Sequence, residues 1–258
     1  MNNLNRLFRE RIGFPLDEKL TFERLDTVLE LAAKTIPFEN IRVISGETAP
    51  ITGEDLTEKI LNRREGGLCY EINSLLYLFL VDNGFDVVLT RAVVYNLEAG
   101  DYYTFGRTHA TILLTHGSSR YIVDSGFGGN LPMKPVPLDG ETVSSSNGEF
   151  RIGKESGEAG NYVLELRLKH KDQQFRKGYA FYSDRPITDV VDFDEIQTII
   201  VEHPDSTFNK KPLLSKLTDT GSLSLTDTTF TRWENGVMTK EQVDKEQFER
   251  LKEEHFIK

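Results

Sequence analysis

The sequence predicts an α+β protein, and three observations carry the prediction. Apolar residues recur at helical spacing through residues 1–84, the period shortens to that of strands from Phe85, and the last third closes with a strand pair and an amphipathic helical run. At 258 residues with 38% hydrophobic side chains, the chain supplies enough apolar mass for a substantial core.

The helical part begins to read clearly at Thr21, where Leu25, Val28, Leu29 and Ala32 form one face of a helix that must stop before Pro37. A second segment, strongly apolar from Ser74 to Asp82, starts near Cys69 and ends at Asn83-Gly84, a pair suited to the left-handed residue that closes a helix. This places Cys69 at a helix start. Strands are then expected at Val87–Leu89, Ala92–Tyr95, His109–Leu114, Tyr121–Val123 and Tyr162–Leu168. Residues 139–160 are rich in Ser, Gly and Glu and read as a surface connection with one short strand at Phe150-Arg151-Ile152. Beyond Val190 the pattern gives an acidic stretch, a helix-like run and a hairpin turning at Asn235-Gly236. Thr239 with Gln242 resembles a capping box that opens a final helix carrying Phe248, Leu251 and His255. The implied division is 1–84 helical, 85–190 β-rich, and 191–258 a linker with mixed elements.

A formal net charge of −10 argues against nucleic acid or anionic lipid as a partner, since either needs clustered Lys and Arg. Small molecules are the expected ligands. A polyanionic coenzyme remains compatible, because backbone amides and a few local cations decide such contacts. The longest uncharged apolar run, Leu75 to Val81, is far shorter than the roughly 20 residues of a membrane helix. Arg6, Arg9, Glu10 and Arg11 interrupt any signal-like stretch, so a soluble cytoplasmic chain is expected.

The single cysteine precludes an intrachain disulfide and makes Cys69 either a nucleophile or a buried apolar thiol. It follows Gly66-Gly67-Leu68, a tight turn into a helix whose free N–H groups and dipole favour a thiolate. A thiolate nucleophile needs a base and an orienting acceptor. If Thr115 pairs with Arg120 across the apparent hairpin, Thr111 falls opposite Asp124 and His109 opposite Gly126. His109 and Asp124 are then diagonal neighbours on one sheet face, about 7–8 Å apart and within reach of a hydrogen bond. Singly, each is more simply a surface or strand-end residue; together with Cys69 they form a candidate triad. His116, in the expected turn, and His203, before Pro204, are the competing bases, and His170 and His255 read as solvated. The spacing supports no metal site, phosphate-binding loop or dinucleotide fingerprint.

Taken in order, Ile36-Pro37-Phe38-Glu39-Asn40, Gly66-Gly67-Leu68-Cys69, His109 and Asp124-Ser125-Gly126-Phe127-Gly128-Gly129 resemble the arylamine N-acetyltransferase family, with a weaker echo at His203–Phe208. The resemblance spans about Arg6 to Phe208. It implies a papain-like cysteine-enzyme fold with a helical N-terminal domain, a β-barrel middle domain and an α/β C-terminal lid. It further implies a ping-pong reaction without metal, in which Cys69 takes an acetyl group from acetyl-CoA and passes it to an aromatic amine or hydrazine. His109 would act as base and proton shuttle, Asp124 would hold the imidazole, and the Cys69 backbone N–H would help bind the oxyanion. Phe38, Val94, Phe127 and Phe208 would line the acceptor pocket, with core packing the rival reading for each. Gly126, Gly128 and Gly129 would let the backbone approach CoA.

One departure stands out: the family usually has arginine directly before the two glycines, and this chain has Glu65 there, behind Arg63 and Arg64. A charge reversal so near the thiol is expected to change loop packing or thiolate stability. Two rival functions follow from the same residues. One is a cysteine hydrolase or transglutaminase-like enzyme; the other is a catalytically weak ligand-binding protein of the same fold.

Overall fold

In the computed structural model of the chain, which describes residues 1–257, the helical elements come first. They are α1 (Asn3–Ile12), α2 (Leu25–Thr35), the two-residue strand β1 (Phe38–Glu39), α3 (Ile41–Ser45) and α4 (Gly53–Leu56). A π-helical turn over Thr57–Asn62 leads to α5 (Cys69–Asp82). Leu75, Leu76, Phe79 and Leu80 of α5 are almost wholly buried, as expected for a helix that is apolar on most sides. Each such side chain stabilises the fold by about 1.5–3 kcal/mol. Asn83 ends the helix and Gly84, at φ +81°, carries the chain into the first long strand.

That strand, β2 (Asp86–Asn96), opens a nine-stranded antiparallel sheet with β3 (Asp101–Tyr102), β4 (His109–His116), β5 (Ser119–Val123), β6 (Val136–Pro137), β7 (Val143–Ser144), β8 (Gly148–Lys154), β9 (Tyr162–Leu168) and β10 (Arg176–Phe181). Its order is β6-β5-β4-β2-β10-β9-β8-β7, with β3 on β2, and it curls until β6 nears β8. The result is a near-closed barrel beside the helical layer, a mixed α+β fold. The two strands expected across Val87–Tyr95 are one. Polar Thr90 and Arg91 do not interrupt it, because Thr90 Oγ1 donates to the Tyr182 carbonyl at 3.1 Å and Arg91 Nη1 reaches Glu195 at 2.6 Å. In the stretch read as a surface connection, the short strand expected at Phe150-Arg151-Ile152 is present and extends to seven residues. In β8, Phe150 and Ile152 point into the barrel core, while Glu149 and Arg151 sit opposite Arg167 and Glu165 of β9 in cross-strand ion pairs.

The chain then forms α6 (Asp194–Glu202) and a meander of β11 (Leu213–Leu217), β12 (Gly221–Thr226), β13 (Thr229–Glu234) and β14 (Val237–Gln242), followed by α7 (Lys245–His255). β1 pairs with β11, so this second sheet has five strands rather than the expected pair. Asn235 and Gly236 turn the β13–β14 hairpin with φ of 51° and 83°. The expected capping box is displaced: Thr239 and Gln242 lie in β14, and Asp244 with Gln247 caps α7 by reciprocal 2.9 Å bonds. α7 buries Phe248 and Leu251 against Leu225 and Phe230, and the ring of His255, expected in solvent, stacks on Phe230 at 5.3 Å. Among the described residues, no helix is long and apolar enough to cross a membrane.

Candidate active site

The loop before α5 is stitched to β1. Glu39 N–H donates to the Gly67 carbonyl at 3.0 Å, and Gly67 N–H to the Pro37 carbonyl at 3.2 Å. A Cβ at Gly66 would lie 2.0 Å from that Pro37 carbonyl, so only glycine permits the approach. Asn40 ties the same segment to the second sheet, donating to the Phe208 and Lys211 carbonyls and accepting from Leu213 N–H. Cys69 is the first residue of α5, 9% exposed, and its thiol donates to the Thr108 carbonyl at 3.3 Å. The preceding Leu68 has no side-chain acceptor, so Glu71 supplies half a capping box, accepting Leu68 N–H at 2.9 Å.

The β4–β5 hairpin has the expected register, with Thr115 opposite Arg120. Its turn is shorter than expected: His116 pairs with Ser119 and belongs to β4, stacking on Phe22, which leaves Gly117-Ser118 to turn the chain. The even-length turn keeps His109 and Asp124 on one face. His109 Nε2 lies 2.7 Å from Asp124 Oδ2, which leaves Nδ1 as the ring nitrogen for the sulfur of Cys69, whose thiol meets the carbonyl of the neighbouring Thr108. The competing His203 stacks on Phe105 instead.

Asp124 is saturated. Its Oδ1 accepts Asn73 Nδ2 at 2.9 Å and Gly126 N–H at 2.7 Å, and its Oδ2 accepts Tyr179 Oη at 2.8 Å besides the imidazole. Burial raises the pKa of this carboxyl, but the His109 charge and these bonds outweigh it and hold the pKa below the usual carboxylate range. Burial likewise works against a charged His109. Asp124 first, and the Cys69 bond after it, push the imidazole up to about 10. An imidazole held between a sulfur and an ionised carboxylate can take the thiol proton and keep it.

Two members of this network carry a faint sequence signal or none. Asn73 lies one turn beyond Cys69 on the same helix face, and also accepts Ser125 N–H at 2.9 Å. Tyr179, from the middle of β10, has no local signal.

The four expected pocket residues fall into two groups. Phe38 and Phe208 meet edge to face at 5.6 Å and pack on the core that holds Cys69. Val94 and Phe127 pack on the barrel core, where Phe127 lies 5.0 Å from the His109 ring. Among the three glycines expected at CoA, Gly126 differs from expectation. It is buried, its N–H is taken by Asp124, and a Cβ there would lie 2.7 Å from Cys69 Cα, so it packs protein on protein. Gly128 and Gly129 remain partly exposed. No cluster of three or more metal-ligating side chains occurs among the described residues.

Glu65 is not a bare negative charge. Arg42 holds it bidentately, Nε to Oε2 at 2.7 Å and Nη2 to Oε1 at 3.0 Å, largely shielded from solvent. Glu65→Arg therefore sets two guanidinium groups against each other. We expect it to destabilise the protein by about 1–3 kcal/mol, and the exchanged pair Arg42→Glu/Glu65→Arg to recover part of that. Chemical denaturation of the parent and the two variants checks this; equal stability of Glu65→Arg and the parent would contradict it.

A thiol at a helix start, beside a histidine–carboxylate pair from an antiparallel barrel, places this site in the class of cysteine-nucleophile enzymes. A family model described as N-acetyltransferase matches residues 21–258. An uncharacterized acetyltransferase of Bacillus subtilis, YvcN, is 40% identical over 96% of this chain and 95% of its own length. Arylamine N-acetyltransferase C from Bacillus anthracis superposes with a TM-score of 0.94 at 38% identity, covering 99% of this chain and 98% of that one. An arylamine N-acetyltransferase from Bacillus cereus, described as having a unique Cys-His-Glu catalytic triad, gives a TM-score of 0.94 at 39% identity over the same shares. The chain belongs to the arylamine N-acetyltransferase family and is an acyltransferase. Where the Bacillus cereus enzyme is described with Glu, the carboxylate on the imidazole here is Asp124.

Proposed function

We propose that this protein transfers acetyl groups from acetyl-CoA to arylamines and arylhydrazines by a ping-pong reaction through an acetyl-cysteine at Cys69. The observation that carries the reading is the 2.7 Å contact of His109 with Asp124, next to the Thr108 carbonyl that the Cys69 thiol reaches at 3.3 Å. His109 takes the thiol proton, and the sulfur attacks the thioester carbonyl. The Cys69 N–H, free at the first position of α5, faces the developing oxyanion. As the C–S bond to CoA breaks, the imidazolium returns its proton to the CoA sulfur. The amine then attacks the acetyl-cysteine, His109 accepts an amine proton, and Cys69 is restored on release of the amide.

In this reading Phe38 and Phe208 on one side, with Val94 and Phe127 on the other, offer apolar surface to the aromatic acceptor. Gly128 and Gly129 are the partly exposed backbone left for CoA. The three-part division at residues 84 and 190 assigns the nucleophile to the helical part, His109 and Asp124 to the barrel, and the remaining residues to a lid.

Intact-mass analysis after mixing with acetyl-CoA and no acceptor tests the proposal. We expect one acetyl group, mapped to Cys69, discharged as the N-acetyl product when an aromatic amine is added. Absence of the adduct, or discharge by water as fast as by amine, overturns it in favour of a binding protein or a hydrolase respectively.

A further inference from the structure

We propose that Lys59, on the π-helical turn before the glycine loop, is a positioning residue that holds the start of α5, and with it Cys69, by clamping two buried carboxylates. The inference rests on the reading of Cys69 as the nucleophile. Lys59 is 4% exposed, and its ammonium lies 2.6 Å from Glu71 Oε1 and 3.5 Å from Glu39 Oε1. Each carboxylate uses its other oxygen on backbone at one side of the loop. Glu71 Oε2 takes Leu68 N–H, the residue before the thiol, and Glu39 Oε2 takes Ile41 N–H at 2.7 Å beyond β1. Glu39 also donates its own N–H to the Gly67 carbonyl. One cation thus spans both strands of backbone that fix where α5 begins.

The space around the clamp leaves little freedom. A Cβ at Gly67 would come within 2.9 Å of Glu71 Oε2, so the carboxylate lies flat on the loop backbone. The other two cations act upstream: Arg11 Nη2 donates to the Arg64 carbonyl at 2.9 Å, and Arg42 pairs with Glu65. Among the described residues, Lys59 alone makes an ion pair with the carboxylate that caps Leu68. Burying an ammonium and two carboxylates costs several kcal/mol per charge before pairing, and apolar residues of similar volume fill such a site at no loss of stability. The arrangement sets geometry more than it adds stability. The π turn supplies the reach: Arg63 N–H bonds to the Glu58 carbonyl five residues back, and the widened turn points Lys59 inward.

The test uses the full chain as Lys59→Met, Lys59→Arg and Glu71→Gln, with three readouts: the pH profile of Cys69 alkylation by iodoacetamide, kcat and KM for acetyl-CoA, and thermal unfolding. We expect Lys59→Met to lower kcat about a hundredfold, the scale of a 1 Å misplacement, with KM little changed. The acidic limb of the alkylation profile should move to higher pH, and Lys59→Arg should restore most of both. Glu71→Gln keeps an oxygen for Leu68 but loses the ion pair, and should shift both in the same direction; it carries the test if Lys59→Met does not fold. A folded Lys59→Met, or in its place Glu71→Gln, with the parent's kcat and alkylation profile overturns the proposal, and so does a fall in kcat with an unchanged profile. Should the parent fail to accept acetyl from acetyl-CoA, the alkylation profiles still decide the role of Lys59 while the proposed reaction falls.

Discussion

Asp124→Asn should slow formation of the acetyl-enzyme by about 10⁴ at neutral pH while leaving the fold intact, the scale seen when a triad carboxylate becomes an amide elsewhere. The reason lies in the four donors around this side chain. Oδ1 receives Asn73 Nδ2 and Gly126 N–H, both fixed, and Oδ2 receives Tyr179 Oη and His109 Nε2, both able to change roles. An asparagine must turn its NH₂ toward one pair, and the adaptable pair is the one that tolerates it. Tyr179 can turn its hydroxyl toward Thr111 Oγ1, 3.2 Å away, and the imidazole must then present Nε2 as an acceptor. That places its proton on Nδ1, facing the sulfur, where it can no longer accept the thiol proton. Stability should fall by about 1–3 kcal/mol. A variant rate within tenfold of the parent would falsify this account.

The same substitution changes how stability depends on pH, and the sign follows from the two shifts. His109 is raised from 6.5 to about 10, so its contribution is complete below 6.5 and is lost as pH rises through 10. Asp124 is lowered from 3.8, so its contribution is present above 3.8 and is lost as pH falls through its lower folded value. The pair therefore supports the fold most between those ordinary values. The gap in thermal midpoint between parent and Asp124→Asn should be widest near pH 6 and close toward pH 10. A gap that widens on the alkaline side would show that the imidazole is not held protonated.

The parts legible in the sequence were those whose signal is local. A two-residue turn fixes the β4–β5 register, so the diagonal placement of His109 and Asp124 follows from residues 109–124 alone. Cys69 reads as a helix start because its two glycines precede an apolar run closed by Asn83-Gly84. What sequence reasoning missed is paid for at long range. Only the Phe150–Ile152 centre of β8 could be read, because its outward residues are charged and find partners only across β9. β11 and β12 carry too little apolar alternation to stand out until β1, about 175 residues earlier, covers the sheet edge. Tyr179 and Lys59 act at the site through contacts with residues 55 and 12 positions away, which no periodicity announces. Glu65 could be flagged as a departure, yet its neutralisation by Arg42, 23 residues upstream, needed coordinates.

Gly126→Ala should cost about 10² or more in kcat with a loss of about 1–3 kcal/mol in stability, although it adds one methyl group. Gly126 does not occupy the left-handed region, so backbone strain is not the cause; space is. The new Cβ would stand 2.7 Å from Cys69 Cα, 3.0 Å from the Cys69 carbonyl and 2.8 Å from Asn73 Nδ2. Two of these atoms are backbone of a helix packed on most sides, so relief has to come from moving the barrel loop away from α5. That motion drags Asp124, whose Oδ1 is bonded both to Gly126 N–H and to Asn73, and the imidazole follows its carboxylate away from the sulfur. Gly129→Ala is the internal comparison, since nothing lies within 4 Å of a Cβ there and its φ is not positive. It should keep the parent's kcat, with any effect confined to KM for acetyl-CoA. Steady-state kinetics and thermal unfolding on both variants check the pair. If Gly129→Ala were the more damaged in kcat, the glycines would owe their place to the coenzyme instead of to the contact between the two halves of the site.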